Sequence, residues 1–277
     1  MSEHWRILKT WPELILDRME GSGVARITLN RPEKRNALTG TLVLAFFEAL
    51  EILREDDEIK VIITRGAGTV YSAGLDLHFL RGRSHGKLSD WDRPTITIRL
   101  TEALLDYPKI LIAQVHGYCL GGSLGLMNAH DLVFAAETAQ IGMPEMPRGS
   151  FGQIATSTLF HSGVPIKKAA FMALTARNVS GIEADRLGLV SLCTPDGELE
   201  ATTNQYAMEI ASRHAVPLQH HKIAVQMGRD LSLKEAMRVD QLVGARQARG
   251  MDPVLDIEAY LKSQKGGTNP AYRRPDV

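Results

Sequence analysis

Two glycine-rich turns and one glutamate carry the chemistry that this sequence offers. Tyr71-Ser-Ala-Gly74-Leu75-Asp76-Leu77 follows an apolar run at 61–64. Val115-His-Gly117-Tyr-Cys-Leu-Gly121-Gly122-Ser-Leu-Gly125 follows another at 110–115. A strand that enters a glycine turn and leaves as a helix exposes backbone N–H groups without partners in the chain. Two such turns facing each other could hold a developing oxyanion, and preorganised donors are among the largest catalytic terms. The plainer reading is that the glycines permit tight turns and close helix–strand packing, and pattern alone favours it. A third segment is Ile141-Gly-Met-Pro144-Glu145-Met-Pro-Arg-Gly149. Glu145 lies among apolar residues and prolines. A carboxylate desolvated there has a raised pKa and can shuttle protons. The alternative is an exposed loop acid.

Other motifs point less far. Gly121-Gly-Ser123-Leu-Gly125 fits the G-x-S-x-G nucleophile elbow, but His116 to Leu120 stand between the strand and the glycines, where the elbow requires none. His161, His214, His220 and His221 would supply a triad histidine. A serine hydrolase using Ser123 is therefore carried as a rival. No G-x-G-x-x-G or Walker lysine pattern occurs, which disfavours dinucleotide and P-loop chemistry. Tyr118, Ser123, His78 and His161 are further acid–base candidates for which structural roles are expected.

These residues need a frame. Strand-like runs at Leu14 to Arg18 and Val24 to Leu29 flank a Gly21-Ser22-Gly23 turn and predict a hairpin. After the polar loop Asn30 to Asn36, Thr39 or Thr41 would cap a helix reaching about Arg54, with Leu42, Ala45, Phe46, Ala49 and Leu53 on one face. Buried strands are predicted at 61–64, 110–115 and 132–136. Strands alternating with helices predict an α/β core with crossover connections. Residues 81–94 read as a polar mobile loop. Beyond about residue 200 the signals are helical, so the core is placed at 1–200 and a helical region at 201–277. Ser232-Leu-Lys-Glu235 is a capping box, Asp252-Pro253 opens another helix, and GGTNPAYRRPDV reads as a tail.

Composition narrows the class. The 277 residues are 44% hydrophobic and 23% charged, as in an ordinary globular protein. Lys plus Arg is 32 and Asp plus Glu is 32, so no global charge draws the chain to nucleic acid or an anionic membrane. Cys119 and Cys193 allow at most one disulfide, no Cys/His group has zinc spacing, and a reducing, cytoplasmic location is expected. The N-terminal residues lack a signal-peptide pattern. Ile110 to His130 carries no Asp, Glu, Lys or Arg and is long enough to span a bilayer, but its glycines, Gln114, His116 and Asn128 suit a buried strand, turn and helix.

Taken in order, the segments resemble one family. Asn30-Arg-Pro-Glu-Lys-Arg-Asn-Ala-Leu38, Ser72-Ala-Gly-Leu-Asp-Leu77, Val115-His-Gly-Tyr-Cys-Leu-Gly-Gly122, Asp131, Leu174 to Ala184 and Gly188-Leu-Val190 resemble the crotonase (enoyl-CoA hydratase/isomerase) superfamily over about residues 14 to 195. The resemblance implies an α/β fold, a spiral of ββα turns with a C-terminal helical trimerisation region. It implies an acyl-CoA thioester as substrate, no metal and no redox cofactor, and a homotrimer or dimer of trimers. It places the oxyanion hole on the backbone of Leu75 and Gly122 and the acid/base on Glu145. CoA contacts fall on Arg35, Ala37 and Leu38, with Ala73 and Leu77 giving backbone to the adenine pocket and Lys34 and Arg35 available to phosphates.

The sequence also departs from the pattern. Hydratases of this family carry two glutamates, and the first falls on Gly125. One remaining acid suits proton transfer between two carbons better than hydration, which makes isomerase chemistry the preferred expectation. Hydroxycinnamoyl-CoA hydratase-lyases also keep only the later glutamate, and Tyr118, Cys119 and Trp91 leave that branch open. Ser150-Phe-Gly-Gln stands where a proline–glycine pair is common, and Ser123 replaces a third glycine. A non-catalytic RNA-binding relative is the remaining rival, disfavoured by the charge balance.

Overall fold

The structure, a computed structural model, describes residues 4–78 and 95–250. The loop expected at 81–94 with its Trp91, the helix start at Asp252-Pro253 and the C-terminal tail lie outside the described residues. Contacts divide the chain into two units, Met1–Ala215 and Val216–Val277.

The first unit is built on a seven-stranded sheet of order β1-β2-β3-β4-β5-β7-β10. Strands β1 (Trp5–Trp11), β2 (Leu14–Met19) and β3 (Val24–Leu29) form an antiparallel meander. From β3 onward the sheet is parallel, through β4 (Val61–Gly66), β5 (Ile110–Val115), β7 (Leu132–Ala136) and β10 (Leu192–Thr194). The parallel strands must be covered on both faces, and β3 and β5 are buried at every position. The hairpin and the three inner strands stand where the apolar runs predict them.

A second, three-stranded sheet joins β6 (Tyr118–Leu120), β8 (Gln140–Gly142) and β9 (Val179–Ser180). Strand β5 passes into β6 as β7 passes into β8. The pairs β5/β7 and β6/β8 are both parallel. This repeated step from one sheet to the other is the spiral of the fold. Isolated bridges Leu38↔Leu75 and Ser72↔Cys119 continue the second layer toward the glycine turns.

Helix α1 (Gly40–Arg54) starts at Thr39, whose hydroxyl accepts a 3.0 Å hydrogen bond from Leu42 N. Leu42, Ala45, Phe46, Ala49 and Leu53 are all buried, at the spacing of one helical face. They pack with Leu14, Leu16, Ile27 and Leu29 and with Leu100 and Leu104 of α2 (Ile96–Leu105). Helices α3 (Gly122–Asn128), α4 (Gln153–Phe160), α5 (Ile166–Thr175) and α6 (Gly181–Arg186) follow.

The sequence places the end of the core at residue 200, but α7 (Leu199–Ala211) belongs with the first unit and packs against β3, β4, β5 and β7. Its face is polar because the sheet beneath it is charged. Arg26 pairs with buried Asp17 at 2.7 Å, and Glu200 of α7 reaches both Arg26 (3.0 Å) and Arg65 (2.9 Å). That mixture of charge and small residues hides α7 from a search for apolar periodicity.

The second unit contains α8 (Ala215–Asp230), which begins one residue before it, and α9 (Leu233–Gly250). The predicted capping box is present: Ser232 Oγ accepts from Glu235 N and the Glu235 carboxylate accepts from Ser232 N.

Candidate active site

The site forms where β6 and β8 end side by side. Leu120 pairs with Gly142, and Gly121 N donates to Gly142 O at 2.9 Å. This register sets the segment after β8, which carries Glu145, beside the glycine turn that opens α3. Gly121 adopts φ +55° and ψ −120°, a conformation open essentially to glycine. A Cβ there would fall on the Glu145 carboxylate. On its other side Glu145 meets Gly152, where a Cβ would lie 3.1 Å from Glu145 Cδ and 3.0 Å from Met143 Cε. The loop is held from within, since Glu145 O accepts from Arg148 N (3.0 Å) and Ser150 N (3.2 Å).

Glu145 is therefore a half-buried carboxylate seated between two glycines, not an exposed loop acid. Its Oε2 is buried without a hydrogen-bond partner among the described residues. Burial raises its pKa above the ordinary glutamate value, against the lowering influence of its own backbone N–H and of Arg148.

The Leu75 and Gly122 backbones stand next to each other. A Cβ on Gly122 would be 3.5 Å from Leu75 N and 2.9 Å from Leu75 Cγ. One on Gly74 would be 3.3 Å from Gly122 N and would collide with Leu120 O. Two glycines thus let the turns close on each other. Leu75 sits in the parallel bridge with Leu38, where Leu38 N and O bond to Gly74 O and Asp76 N and leave the Leu75 N–H outside the ladder. Gly122 is the first residue of α3, whose N–H has no intrahelical acceptor. Neither N–H finds an acceptor among the described residues.

The other candidates gather around this pair. Ala73 N donates to Arg35 O at 2.9 Å, and Leu38 bridges Leu75. Arg35 and Leu77 are exposed, Ala37 and Ala73 are half-buried, and Leu38 is in the core. Backbone pairing thus sets residues 35–38 beside residues 73–75, with Ala37 and Leu77 as chain neighbours of the paired residues.

Asn36, unassigned from sequence, pins the patch. It is fully buried at φ +52°, accepts from Arg31 N and donates to Ala67 O (2.9 Å) and Val70 O (2.8 Å). Ser72 Oγ donates to Asn36 O and accepts from Gly74 N. The sequence signal was present, a polar residue between Arg35 and Ala37 in a turn, but the carbonyls its amide donates to, on Ala67 and Val70, lie more than thirty positions away.

The remaining candidates have local roles. Ser123 is fully buried and its hydroxyl is within 2.9 Å of both the Ser72 and Leu120 carbonyls, so it has the geometry of a turn staple rather than an exposed nucleophile. Cys119 beside it is buried, and burial pushes its thiol up to about 12. His161 Nδ1 bonds Ser157 O at the end of α4, and His78 N bonds Asp76 Oδ1. No group of three His, Cys, Asp or Glu side chains among the described residues is arranged to hold a metal ion.

Gly125 is covered rather than vacant. A Cβ there would lie 2.5 Å from Ile154 Cγ2 and 3.3 Å from Ala155 N of α4.

Comparison with known proteins settles the family. The Enoyl-CoA hydratase/isomerase family pattern matches residues 19–249. This chain belongs to the enoyl-CoA hydratase/isomerase family. It is 32% identical over 257 residues to 2,3-dehydroadipyl-CoA hydratase of Escherichia coli, covering 91% of this chain and 96% of that protein. It is 28% identical over 273 residues to hydroxycinnamoyl-CoA hydratase-lyase of Pseudomonas fluorescens, covering 91% and 94%. The crystal structure of a Mycobacterium smegmatis enoyl-CoA hydratase superposes with a TM-score of 0.83 at 25% identity, covering 91% and 97%. The chain has the crotonase fold. No helix among the described residues is long and apolar enough to cross a membrane.

Proposed function

We propose that this family member acts on an enoyl-CoA thioester, holds its enolate on the Leu75 and Gly122 N–H groups, and moves protons with Glu145 alone. The observation that carries this reading is the seat of Glu145: its half-buried carboxylate lies against Gly121, the residue before the Gly122 donor, with one buried oxygen unpartnered among the described residues. A base so placed removes a proton from the carbon between the thioester carbonyl and the double bond of a 3-enoyl-CoA. The resulting charge moves to the thioester oxygen, where two fixed N–H donors stabilise it without reorganising. Returned two carbons further along, the proton leaves the double bond conjugated. Hydration needs water activated on the same face, and Gly125 supplies no second acid.

Arg35, Ala37 and Leu38 are assigned to CoA, with Ala73 and Leu77 at the adenine. Supporting this, the pairings of Ala73 with Arg35 and of Leu38 with Leu75 set their two segments beside the Leu75 donor. A homotrimer, or a dimer of trimers, is proposed for the assembly. The exposed Val225, Leu233, Met237 and Leu242 of the C-terminal helices support it as apolar surface left open in the single chain. A cytoplasmic location and the absence of metal and redox cofactors complete the proposal.

The test is mass spectrometry of 2-enoyl- and 3-enoyl-CoA incubated with the protein in deuterated water. Deuterium gain with double-bond migration and no added water is the expected result. Added water without migration overturns the one-acid reading in favour of hydration. If aliphatic enoyl-CoA is inert and a hydroxycinnamoyl-CoA is cleaved, the lyase reading suggested by the Pseudomonas relative replaces it.

A further inference from the structure

Helix α4 does two things at the site with its first turn. Gly152, just before it, lies against the carboxyl of Glu145, and Ile154 lies on Gly125. Gly125 is three residues after Gly122, so both occupy the same side of α3. Helical Cα–Cβ bonds tilt toward the N-terminus, so a side chain at 125 would rise over the turn that holds the Gly122 donor. A polar side chain at 125 would therefore stand on the same side of α3 as the Gly122 donor. Ile154 Cγ2 would stand 2.5 Å from a Cβ there, closer than real Cβ contacts come, and Ile154 Cβ would stand 3.2 Å away.

Ile154 has little freedom to yield. β-Branched residues in helices hold one strongly preferred rotamer. The helices are also fixed in register, because Asn128 Nδ2 donates to Thr158 Oγ1 at 3.3 Å one turn further along both, and Ala155 and Leu159 are buried beside them.

We infer that Ile154 is a specificity-determining residue, an aliphatic wall that closes the second acid position on α3 and keeps water from that face of the acyl chain. The inference rests on the single-acid reading of Glu145 and extends it. The missing glutamate is not merely absent: the packing of α3 on α4 has taken its place, so restoring a carboxylate at 125 is not enough to restore hydration.

The experiment compares Gly125→Glu, Ile154→Ala and the double variant with the parent, using 2-enoyl-CoA with mass detection of added water and thermal unfolding. Gly125→Ala, alone and with Ile154→Ala, provides a smaller steric probe that keeps the fold. The expected result is that Gly125→Glu and Gly125→Ala each lower Tm, and that Ile154→Ala relieves part of that loss instead of adding to it. The double Gly125→Glu/Ile154→Ala variant is expected to hydrate at least about tenfold faster than Gly125→Glu, the lower end of what a positioned acid–base group contributes being larger still. Strictly additive Tm losses overturn the wall. A double variant that hydrates no faster than Gly125→Glu overturns its role in choosing the reaction. If the parent turns over no enoyl-CoA while the Tm losses are coupled and the double variant gains hydration, the isomerase reading fails and the wall stands.

Discussion

Gly121→Ala separates the carboxylate seat from the rest of the fold. Gly121 holds φ +55° and ψ −120°, and its missing Cβ marks the place taken by the Glu145 carboxylate. The backbone share of the damage is about 1–3 kcal/mol for an L-residue in such a region. At roughly 2–4 °C per kcal/mol for a chain of this size, Tm falls by about 2–12 °C. The collision itself is relieved cheaply, because the carboxyl group is the far end of a flexible chain. Its relief is what costs activity. A reacting group displaced by about an ångström loses on the order of 10²-fold in rate, and disturbing one oxyanion donor loses on the order of 10²–10³-fold. Turnover of 3-enoyl-CoA should therefore fall by about 10²-fold if only one effect operates and up to about 10⁵-fold if both do, while most of the protein remains folded at assay temperature. Gly188→Ala is the control. Gly188 also has a positive φ (+72°), but open space surrounds its missing Cβ, so it bears a backbone cost and keeps its activity. Adding Gly121→Ala to Glu145→Gln should cost less than the product of the two separate losses, since both act on one carboxyl. Near-parent turnover in Gly121→Ala would refute the seat.

Three further outcomes are expected. Glu145→Gln should lose about 10²–10⁴-fold in turnover, and the acid limb of the parent pH–rate profile should lie above the ordinary glutamate value. Because the folded pKa is the higher one, the folded state holds the proton longer. Stability then falls as pH rises from the ordinary value through the raised one and is flat beyond, and Glu145→Gln, measured by urea unfolding across pH, removes that fall. Asn36→Ala leaves the Arg31 N–H and the Ala67 and Val70 carbonyls without their side-chain partner, so a loss of about 2–5 kcal/mol is expected in urea titration. Ser123→Ala should keep turnover within about threefold and cost about 1 kcal/mol, as for an ordinary intramolecular hydrogen bond, and a fluorophosphonate probe should leave the parent unlabelled.

Legibility in the sequence followed the kind of interaction involved. The hairpin, α1 and the strands expected at 61–64, 110–115 and 132–136 were readable because each buries a continuous apolar run or a helical face, the first of those strands running on to Gly66. Strand β1 was not: it is an edge strand with Arg6, Lys9 and Thr10 facing solvent and an irregular register between Ile7 and Lys9. The three-residue β6 and β8 and the two-residue β9 are too short to show a period and exist through pairings made far along the chain. Helix α2, opening on Ile96-Thr-Ile, starts with β-branched residues that mask its character. At the site, Leu75, Gly122 and Glu145 were named from motif and resemblance, and the structure brings them into one cluster. Asn36 and Ile154 stayed hidden because a sequence states what residue occupies a position but not what leans on it.

The order of the large sheet bears on how the protein emerges from the ribosome. Its strands run β1-β2-β3-β4-β5-β7-β10, the same as their order along the chain. Each new strand can dock on the free edge left by the one before, and none must wedge between strands already paired. Growth by accretion at one edge suits a chain delivered from its N-terminus. One step has to wait. Arg26 and Arg65 lie on early strands, yet the carboxylate that joins them, Glu200, arrives with α7. Until then Arg26 has Asp17, Arg65 lacks its Glu200 partner, and no helix covers that face of the sheet. The face that α7 covers in the complete protein is therefore closed only after all seven strands of the sheet have been made.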